Sequence, residues 1–436
     1  MSRDAYLGAG LRLVLRIPAL RAFLVSRATA GTSMTLIQAA IAWQVYEISG
    51  SALQLGLIGL VRFVPALGMS LIGGAVADSY NRRNIILLAQ LVPAATTAVM
   101  LAAIAADAVT LGLLYGVVLL TGLASAFEQP ARQAMLPSIV PAYLFARAVT
   151  VNSTMQSLAF VTGPTVAGAA IAAAGVGAAY VAHGAFLAVS IVAMLRVPAV
   201  RSGTRSGVGW TAIREGVQFV WSRPVLLGAM TLDMFAVIFG GARALLPIYA
   251  TDILDAGAFG YGVLYASSEV GALLMSIVLI LSPPVRQTGR ALLLSVAAFG
   301  VATIAFGLSR SFALSVVAFM AVGMADQVSV VMRTTTIQLL TPDELRGRVS
   351  AVNSVFISAS NQLGAVESGF VAAVTSATFA VVSGGFGCLA VVGIIAARAP
   401  SLRRHRTEPA AEVATPAGAS RVTGEAAGTE APGTPQ

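Results

Sequence analysis

Residues Gly122–Gly168 have the sequence GLASAFEQPARQAMLPSIVPAYLFARAVTVNSTMQSLAFVTGPTVAG. A shift of 201 positions aligns them without a gap on Gly323–Gly369, GMADQVSVVMRTTTIQLLTPDELRGRVSAVNSVFISASNQLGAVESG. The two stretches are identical at 12 of 47 positions, including Arg132/Arg333, Pro141/Pro342 and Asn152/Asn353. Arg, Pro and Asn are uncommon in this chain, so their preserved spacing indicates duplication rather than shared composition. The sequence therefore predicts two structurally related halves.

The composition indicates that lipid is the solvent for most of this chain. Hydrophobic residues make up 57% of the 436 residues and charged residues only 10%, whereas soluble domains carry roughly 25% charged residues. The mean hydropathy is +0.85. About 20 apolar residues cross roughly 30 Å of hydrocarbon, which leaves room for about a dozen spans. The single cysteine, Cys388, lies in an apolar run and has no intrachain disulfide partner.

Apolar runs bounded by charges, proline or glycine predict an all-α membrane protein with twelve transmembrane helices, six in each half. Spans 1 to 6 are expected near 21–47, 53–77, 84–106, 110–130, 146–173 and 176–197. Spans 7 to 12 are expected near 224–250, 259–281, 290–309, 312–334, 348–373 and 378–397. Such paired halves are typical of secondary transporters.

The remaining segments complete the predicted domain organisation. An N-terminal segment covers 1–20, the first six-helix bundle 21–197, a linker 198–223, the second bundle 224–397 and a tail 398–436. Within the linker, Trp210 to Trp221 are patterned as an amphipathic helix at the membrane interface. The tail is rich in Ala, Pro, Gly, Thr and Glu, so we expect it to be disordered.

The arginines are distributed unevenly between the two sides of the predicted bundle. All 27 basic residues are Arg, and 23 of them fall in the tails, in the loops on the side of both termini, or just inside span ends on that side. Only Arg310 lies in the opposite loops. The positive-inside rule then predicts that both termini are cytoplasmic. The same distribution explains the basic pI without a nucleic-acid groove, so we expect no nucleic-acid partner.

Two local motifs mark spans 2 and 5. Span 2 ends with the sequence GGAVADSYNRR, residues Gly73–Arg83. It contains two glycines and Asp78, and Arg82 or Arg83 can pair with that carboxylate. Span 5 contains Gly163-Pro164-Thr165-Val166-Ala167-Gly168. Pro164 predicts a bend, and Gly163 and Gly168 predict close helix packing around it. An ordinary helix end and a purely structural bend remain the alternatives.

Both motifs resemble signatures of the major facilitator superfamily, the first its loop motif and the second an element common in its exporters. Ser79 departs from the loop signature, which usually has Arg there. Several further stretches resemble the enterobactin-exporter-like and drug-efflux transporters of that superfamily: Arg21–Leu24, Gly74–Gln90, Leu245–Ala250, Gly260–Ala266 and Thr341–Arg348. The resemblance covers roughly residues 20–395. It implies two pseudo-symmetric six-helix bundles that rock about a central site, in a bacterial inner or plasma membrane.

Charged residues inside predicted spans are candidates for function, because charge at bilayer depth costs about 2.5 to 3.5 kcal/mol on insertion scales. The resemblance implies that spans 1, 4, 7 and 10 line the cavity, which ranks Arg27, Arg243 and Asp326 as substrate-cavity candidates. Gln38 joins them because it shares a helical face with Arg27. Proton coupling needs a buried carboxylate, and the candidates are Asp233 and Glu269 near mid-depth, with Glu367 in reserve. Static ion pairing is the alternative for each.

A second set of charges is expected to form a cytoplasmic gate. It includes Glu128 and Arg132 at the end of span 4 and Arg333 at the equivalent end of span 10. The predicted gate residues are Gly74, Asp78, Arg82, Arg83, Glu128, Arg132, Arg147, Arg333, Arg346 and Arg348. Loop charges that merely follow the positive-inside rule remain the alternative.

The sequence indicates a transporter and not an enzyme. With two histidines, His183 and His405, a histidine-based metal or catalytic site lacks ligands, and without Lys no phosphate-binding P-loop is possible. We expect no cofactor or metal, a small-molecule substrate, protons as the coupling ion, the lipid bilayer as surroundings and a monomer. The favoured function is proton-coupled export of a hydrophobic or amphipathic molecule, a siderophore or drug. Import, lipid-type transport and a non-transporting sensor or interaction protein stay open.

Overall fold

A computed structural model describes residues 16–199, 210–283 and 285–405. Helices occupy all twelve predicted spans. In the first half they are span 1 Pro18–Ser49, span 2 Ala52–Gly68 with Ser70–Ser79, span 3 Arg82–Ala105, span 4 Leu111–Ile139, span 5 Phe145–Ala174 and span 6 Val176–Leu195. In the second half they are span 7 Pro224–Ile253, interrupted as described below, span 8 Gly257–Leu281, span 9 Thr288–Leu308, span 10 Phe312–Leu340, span 11 Arg346–Val374 and span 12 Ala377–Arg398.

The outer surface of the bundle is apolar because it faces lipid rather than water. Nine helices within the described ranges are long and apolar enough by composition to cross a membrane. Large apolar side chains such as Ile280, Leu281 and Leu294 stay exposed on their outer faces. An all-α membrane protein is therefore confirmed.

Span 7 is not the continuous helix that the sequence predicted for 224–250. A regular helix covers Pro224–Phe239, followed by a 3-10 segment Gly241–Leu245, one α-helical turn Leu246–Ile248 and a π-helical turn Tyr249–Ile253. Gly240 and Gly241 favour the break because neither has a Cβ atom. A Cβ at Gly240 would overlap the ring of Phe299, and a Cβ at Gly241 would overlap the carbonyl of Gly364. Pro247 removes a further helical hydrogen bond.

The linker and the tail contribute two shorter helices. Residues Trp210–Ser222 form a helix where the sequence places the amphipathic segment. The prediction of disorder from residue 398 is wrong for the first part of the tail, because Pro400–Arg404 form a helical turn. Leu402, only 1% exposed, packs on Gly228 and Gly289 and anchors this turn in the second bundle. Residues 406–436 lie outside the described residues.

The two halves meet through two helix pairs, span 2 with span 11 and span 5 with span 8. Glycines form the tightest contacts: a Cβ on Gly56 would lie 3.0 Å from the Cα of Gly369, and one on Gly168 would lie 2.7 Å from the Cα of Gly262. All four glycines lie within six residues of the helix ends on the side opposite the termini. We call this side the arginine-poor end and the other the arginine-rich end.

Aromatic residues reinforce the contact between the halves at the arginine-poor end. The Tyr46 hydroxyl donates to the Asp252 carboxylate, and the Tyr261 hydroxyl donates to the carbonyl of Ala39 at 3.1 Å. The rings of Trp43 and Tyr261 lie 5.5 Å apart between centroids. The halves are therefore closed against each other at this end.

Candidate functional site

A cavity of about 60 Å³ lies inside the first half, between spans 1, 3, 4 and 6. We call it the N-half cavity. Its polar wall includes the predicted residues Arg27, Glu128 and Arg132 together with Gln90 and Gln129, and its apolar wall includes Met34 and Ile37.

A buried hydrogen-bond network holds Arg132 in this cavity. Its Nε donates to Glu128 at 2.7 Å and its Nη1 to the hydroxyl of Ser26 at 3.2 Å. Gln90 donates to Glu128 and to Ser190 at 3.0 Å each. Arg132 is only 2% exposed. Residues predicted at a cytoplasmic gate thus lie inside the first bundle, as a neutralised ion pair bound to three neighbouring helices.

Arg27 enters the same cavity from span 1 with different partners. Its Nη2 donates to Oε1 of Gln156 at 2.6 Å and its Nη1 to Oε1 of Gln129 at 3.4 Å. Within the described ranges no carboxylate oxygen lies within 4 Å of it. Gln38, predicted on the same face, is half-buried and does not line this cavity.

A much smaller cavity, about 10 Å³, occupies the corresponding place in the second half, between spans 7, 9 and 10. We call it the C-half cavity. Asp233 and Asp326 line it with apolar residues that include Val296 and Phe299. The repeat relates the two cavities, because Ser125 and Glu128 of the first fall on Asp326 and Ser329 of the second.

Asp233 is ion-paired across two spans. Arg333 on span 10 donates to its Oδ2, and both side chains are almost fully buried, at 4% and 6% exposure. Asp326, one wall of the same cavity, has no ion-pair partner within 4 Å among the described residues. The C-half cavity is therefore lined by two carboxylates, one of which is paired with the guanidinium of Arg333, a set that carries one negative charge when both carboxylates are ionised.

The break in span 7 brings together two residues that the sequence singled out separately, Arg243 and Glu269. Arg243 lies in the 3-10 segment, and its Nη2 donates to Glu269 on span 8 at 2.7 Å and to Ser268 at 3.0 Å. Its guanidinium also lies 5.3 Å from the ring centroid of Tyr265. The Arg243 side chain is 50% exposed, unlike the Asp233 pair. The reserve candidate Glu367 accepts a 3.2 Å hydrogen bond from Ser368.

Most other predicted gate residues lie at the surface of the arginine-rich end. Arg346 pairs with Asp343 at 2.6 Å and is half-exposed, whereas Arg348 pairs with Glu215 of the linker helix. Arg82 donates to the carbonyl of Ala134 at 2.8 Å and to Ser138. Arg83 lies in the first turn of span 3, and Arg147 lies in the first turn of span 5. The side chain of Asp78 lies outside the described residues, so its pairing stays a prediction.

The glycines of the two motifs differ in what they contact. Gly73, not the predicted Gly74, is the close contact of span 2 with span 4: a Cβ there would overlap the carbonyl of Ala126, whereas Gly74 has open space. Gly163 packs against span 1 at Thr35, and Gly168 packs against span 8. Span 5 continues through Pro164 as one helix, and the predicted bend stays a prediction.

The sequence interpretation missed several residues that complete these sites. Gln90 and Gln156 are polar residues inside apolar spans, a signal that could have singled them out. Glu215 had no comparable signal, because it is one of several charges in a polar linker. The described residues hold no cluster of three or more His, Cys, Asp or Glu able to bind a metal ion.

Sequence comparisons place these features among known transporters. Residues 14–425 match the family model described as Transmembrane secretion effector. The chain is 28% identical over 403 residues to the multidrug efflux pump Tap of Mycolicibacterium fortuitum, covering 87% of this chain and 95% of Tap. It is 25% identical over 415 residues to the enterobactin exporter EntS of Escherichia coli O1:K1, covering 94% of this chain and 98% of EntS.

Solved transporters share the fold at low sequence identity. A bacterial homologue of the human lysosomal transporter Spinster, in an inward-facing and occupied conformation, superposes with a TM-score of 0.67 at 15% identity, over 90% of this chain and 98% of that one. The nucleoside transporter NupG superposes with a TM-score of 0.65 at 12% identity, over 89% and 98% of the two chains.

Proposed function

Because the chain belongs to the Transmembrane secretion effector family of the major facilitator superfamily, and is therefore a membrane transporter and not an enzyme, we propose that it exports a hydrophobic or amphipathic small molecule in exchange for protons. The substrate class is a siderophore or a drug, as the names of EntS and Tap suggest. Export proceeds by alternating access between the two halves.

The names of the two curated relatives, an efflux pump and an exporter, support the direction, and the conformation together with the charge asymmetry is the state from which an exporter loads. The glycine contacts of Gly56 with Gly369 and of Gly168 with Gly262 close the arginine-poor end. The positive-inside rule assigns the arginine-rich end and both termini to the cytoplasm. On this assignment the structure corresponds to a state closed toward the outside, in which an exporter loads its substrate from the cytoplasm or the inner leaflet.

The observation that carries proton coupling is the C-half cavity. Asp233 is ion-paired with Arg333, and Asp326 next to it has no arginine within 4 Å among the described residues. Protonation of Asp233 would remove the charge that attracts Arg333 and so weaken a pair that joins span 7 to span 10. At about 10 Å³ the cavity holds about one water molecule. It is thus suited to a proton and too small for an organic substrate.

The gate is proposed to use the exposed charges of the arginine-rich end. Arg348 and Glu215 connect span 11 to the linker helix, and Arg82 binds the end of span 4. When the halves close at this end, the arginines have to leave these partners within one half and bind residues of the other half. The arginines are long enough and exposed enough to make that exchange.

Everted membrane vesicles from expressing cells provide the test. Energising them acidifies the lumen, so proton-driven export appears as accumulation of substrate inside; ethidium and enterobactin serve as drug and siderophore probes. We expect accumulation of at least one probe that a protonophore abolishes. Accumulation that is insensitive to the protonophore contradicts proton coupling, and accumulation driven only by a gradient of the opposite sign contradicts export.

A further inference from the structure

Arg27 differs from the other arginines buried in the two cavities. Arg132 and Arg333 each pair with a carboxylate, Glu128 and Asp233. Among the described residues, the hydrogen-bond partners of Arg27 are the amide oxygens of Gln156 and Gln129. A guanidinium at membrane depth without a counter-ion is costly, and such residues generally bind a ligand or line an ion pathway.

The residues around Arg27 supply hydrogen-bond donors rather than acceptors. Both glutamines turn their oxygens toward the guanidinium, which leaves their amide nitrogens as donors. Within the part of the chain that the structure describes, the amide nitrogen of Gln129 has only the sulfur of Met34 at 4.0 Å as a partner. Arg27 and Gln129 therefore present unused donors to one cavity, a combination that matches a planar oxyanion such as a carboxylate.

The net charge of the N-half cavity points the same way. Its charged lining residues are Arg27, Arg132 and Glu128. Glu128 neutralises Arg132 at 2.7 Å, which leaves the single positive charge of Arg27. The C-half cavity has the opposite balance, with Asp233, Asp326 and Arg333. The two related cavities thus suit ligands of opposite charge.

We propose that the N-half cavity binds the anionic group of the transported molecule, and that Arg27 is the residue that binds it. The substrate is then an amphipathic organic anion, with a carboxylate or a similar oxyanion. Met34 and Ile37 in the cavity wall contact the apolar part next to that group. At about 60 Å³ the cavity takes the charged group, and a larger apolar body extends beyond it. This inference rests on the proposed transport function but concerns binding alone.

Equilibrium binding to the purified protein in lipid nanodiscs tests it with three matched probes: radiolabelled 1-naphthoate, neutral 1-naphthamide and cationic 1-naphthylmethylammonium. Empty nanodiscs correct for partitioning into lipid. We expect the wild-type protein to bind the anion at least about tenfold more tightly than the amide, a difference of about 1.4 kcal/mol. Equal binding of the three probes overturns the proposal, and so does the absence of naphthoate binding up to about 1 mM, the weak end of specific affinities.

Variants then assign the preference to Arg27. Arg27→Gln is expected to abolish the preference for the anion, while Arg27→Lys retains part of it. Arg62→Gln is the matched control, because Arg62 also lies within a span without a carboxylate partner among the described residues but does not line the N-half cavity. An unchanged preference in Arg27→Gln, or its equal loss in Arg62→Gln, overturns the assignment. Size-exclusion chromatography tests whether each variant is folded. If Arg27→Gln does not fold, Gln129→Leu replaces it, and we expect that variant to weaken naphthoate binding several-fold.

Competition with inorganic anions distinguishes a substrate site from a general anion site. Chloride or phosphate that displaces naphthoate with equal potency would contradict recognition of an organic anion. Because binding is measured without a gradient, its result is independent of proton coupling. Anion-selective binding without protonophore-sensitive export supports this inference and overturns the proposed function. Protonophore-sensitive export without anion-selective binding supports the proposed function and overturns this inference.

Discussion

Arg132 and Arg333 occupy equivalent positions of the repeat, yet each takes its carboxylate from a different helix. Arg132 pairs with Glu128 one turn earlier on its own span, whereas Arg333 pairs with Asp233 on span 7. A pair within one helix keeps its geometry when helices move, but a pair between spans changes with their relative position. The buried pair of the second half can therefore respond to a conformational change, and that of the first half cannot.

Replacement of Asp233 tests that role. Asp233→Asn is expected to abolish proton-driven transport and to destabilise the protein by about 3 to 5 kcal/mol, because it leaves Arg333 buried without a counter-ion. Proton uptake by proteoliposomes and thermal unfolding measure the two effects. Asp233→Glu, which keeps an ionisable group, should retain coupling, and Arg333→Gln added to Asp233→Asn should recover stability without coupling. Full coupling in Asp233→Asn would contradict the assignment.

Glu269→Gln separates coupling from stability. We expect loss of proton-driven transport with a stability change of only about 0 to 1 kcal/mol, because the Arg243 side chain is 50% exposed and water can solvate it. The same proteoliposome and unfolding assays measure both quantities, with Glu269→Asp as the conservative control. Undiminished proton coupling in both Glu269→Gln and Asp233→Asn would rule out the two preferred coupling residues.

The closure of the arginine-poor end depends on glycine contacts that a larger residue should disrupt. Gly369→Val is expected to weaken the packing of span 11 on span 2 by about 1 to 3 kcal/mol through overpacking, and to open that end. Thiol labelling of a cysteine introduced at Ser51, in a Cys388→Ala background, should become faster.

Gly116→Ala is the matched control for this substitution. Gly116 lies in span 4, and a Cβ there meets no atom within 4 Å. It should leave labelling unchanged and increase stability by up to about 1 kcal/mol through helix propensity. Equal labelling of Gly369→Val and Gly116→Ala would show that the glycine contact does not hold this end closed.

The start of the tail should matter for stability. Leu402→Ala is expected to cost about 2 to 5 kcal/mol, because it removes most of a fully buried side chain that packs against Gly228. Deletion from residue 399 removes the same anchor and should reduce transport and melting temperature together. Deletion from residue 406 should preserve both, and a loss of transport in that deletion alone would indicate a separate role for the tail.

Hydropathy and charge patterns were sufficient to predict the helical spans and their division into two halves. Span ends differ by a few residues, as for the start of span 1 at Pro18 rather than 21, because the end of an apolar run does not specify the last helical turn. Span 7 shows a larger difference: Gly240, Gly241 and Pro247 were visible in the sequence, but a glycine pair breaks a helix only where neighbours such as Phe299 and Gly364 pack against it.

The candidate site was predictable residue by residue but not as an arrangement. Arg27, Asp233, Arg243 and Asp326 stood out because charges are rare in apolar spans. Their partners did not, since the pairing of Asp233 with Arg333 joins residues 100 positions apart. Glu128 and Arg132 were assigned to a gate from their place at the end of an apolar run. Their burial in the N-half cavity depends on Gln90 and Ser190 of two other spans.

The sequence by itself determined the solvent, the spans, the duplication and the charge asymmetry across the membrane, because each is a property of residues close together in the chain or repeated along it. The tertiary structure alone decided which charges neutralise each other and which, like Arg27 and Asp326, have no counter-ion within reach among the described residues. The physical reason is that an ion pair between two helices depends on their relative rotation and depth, which the packing of residues far apart in the chain determines.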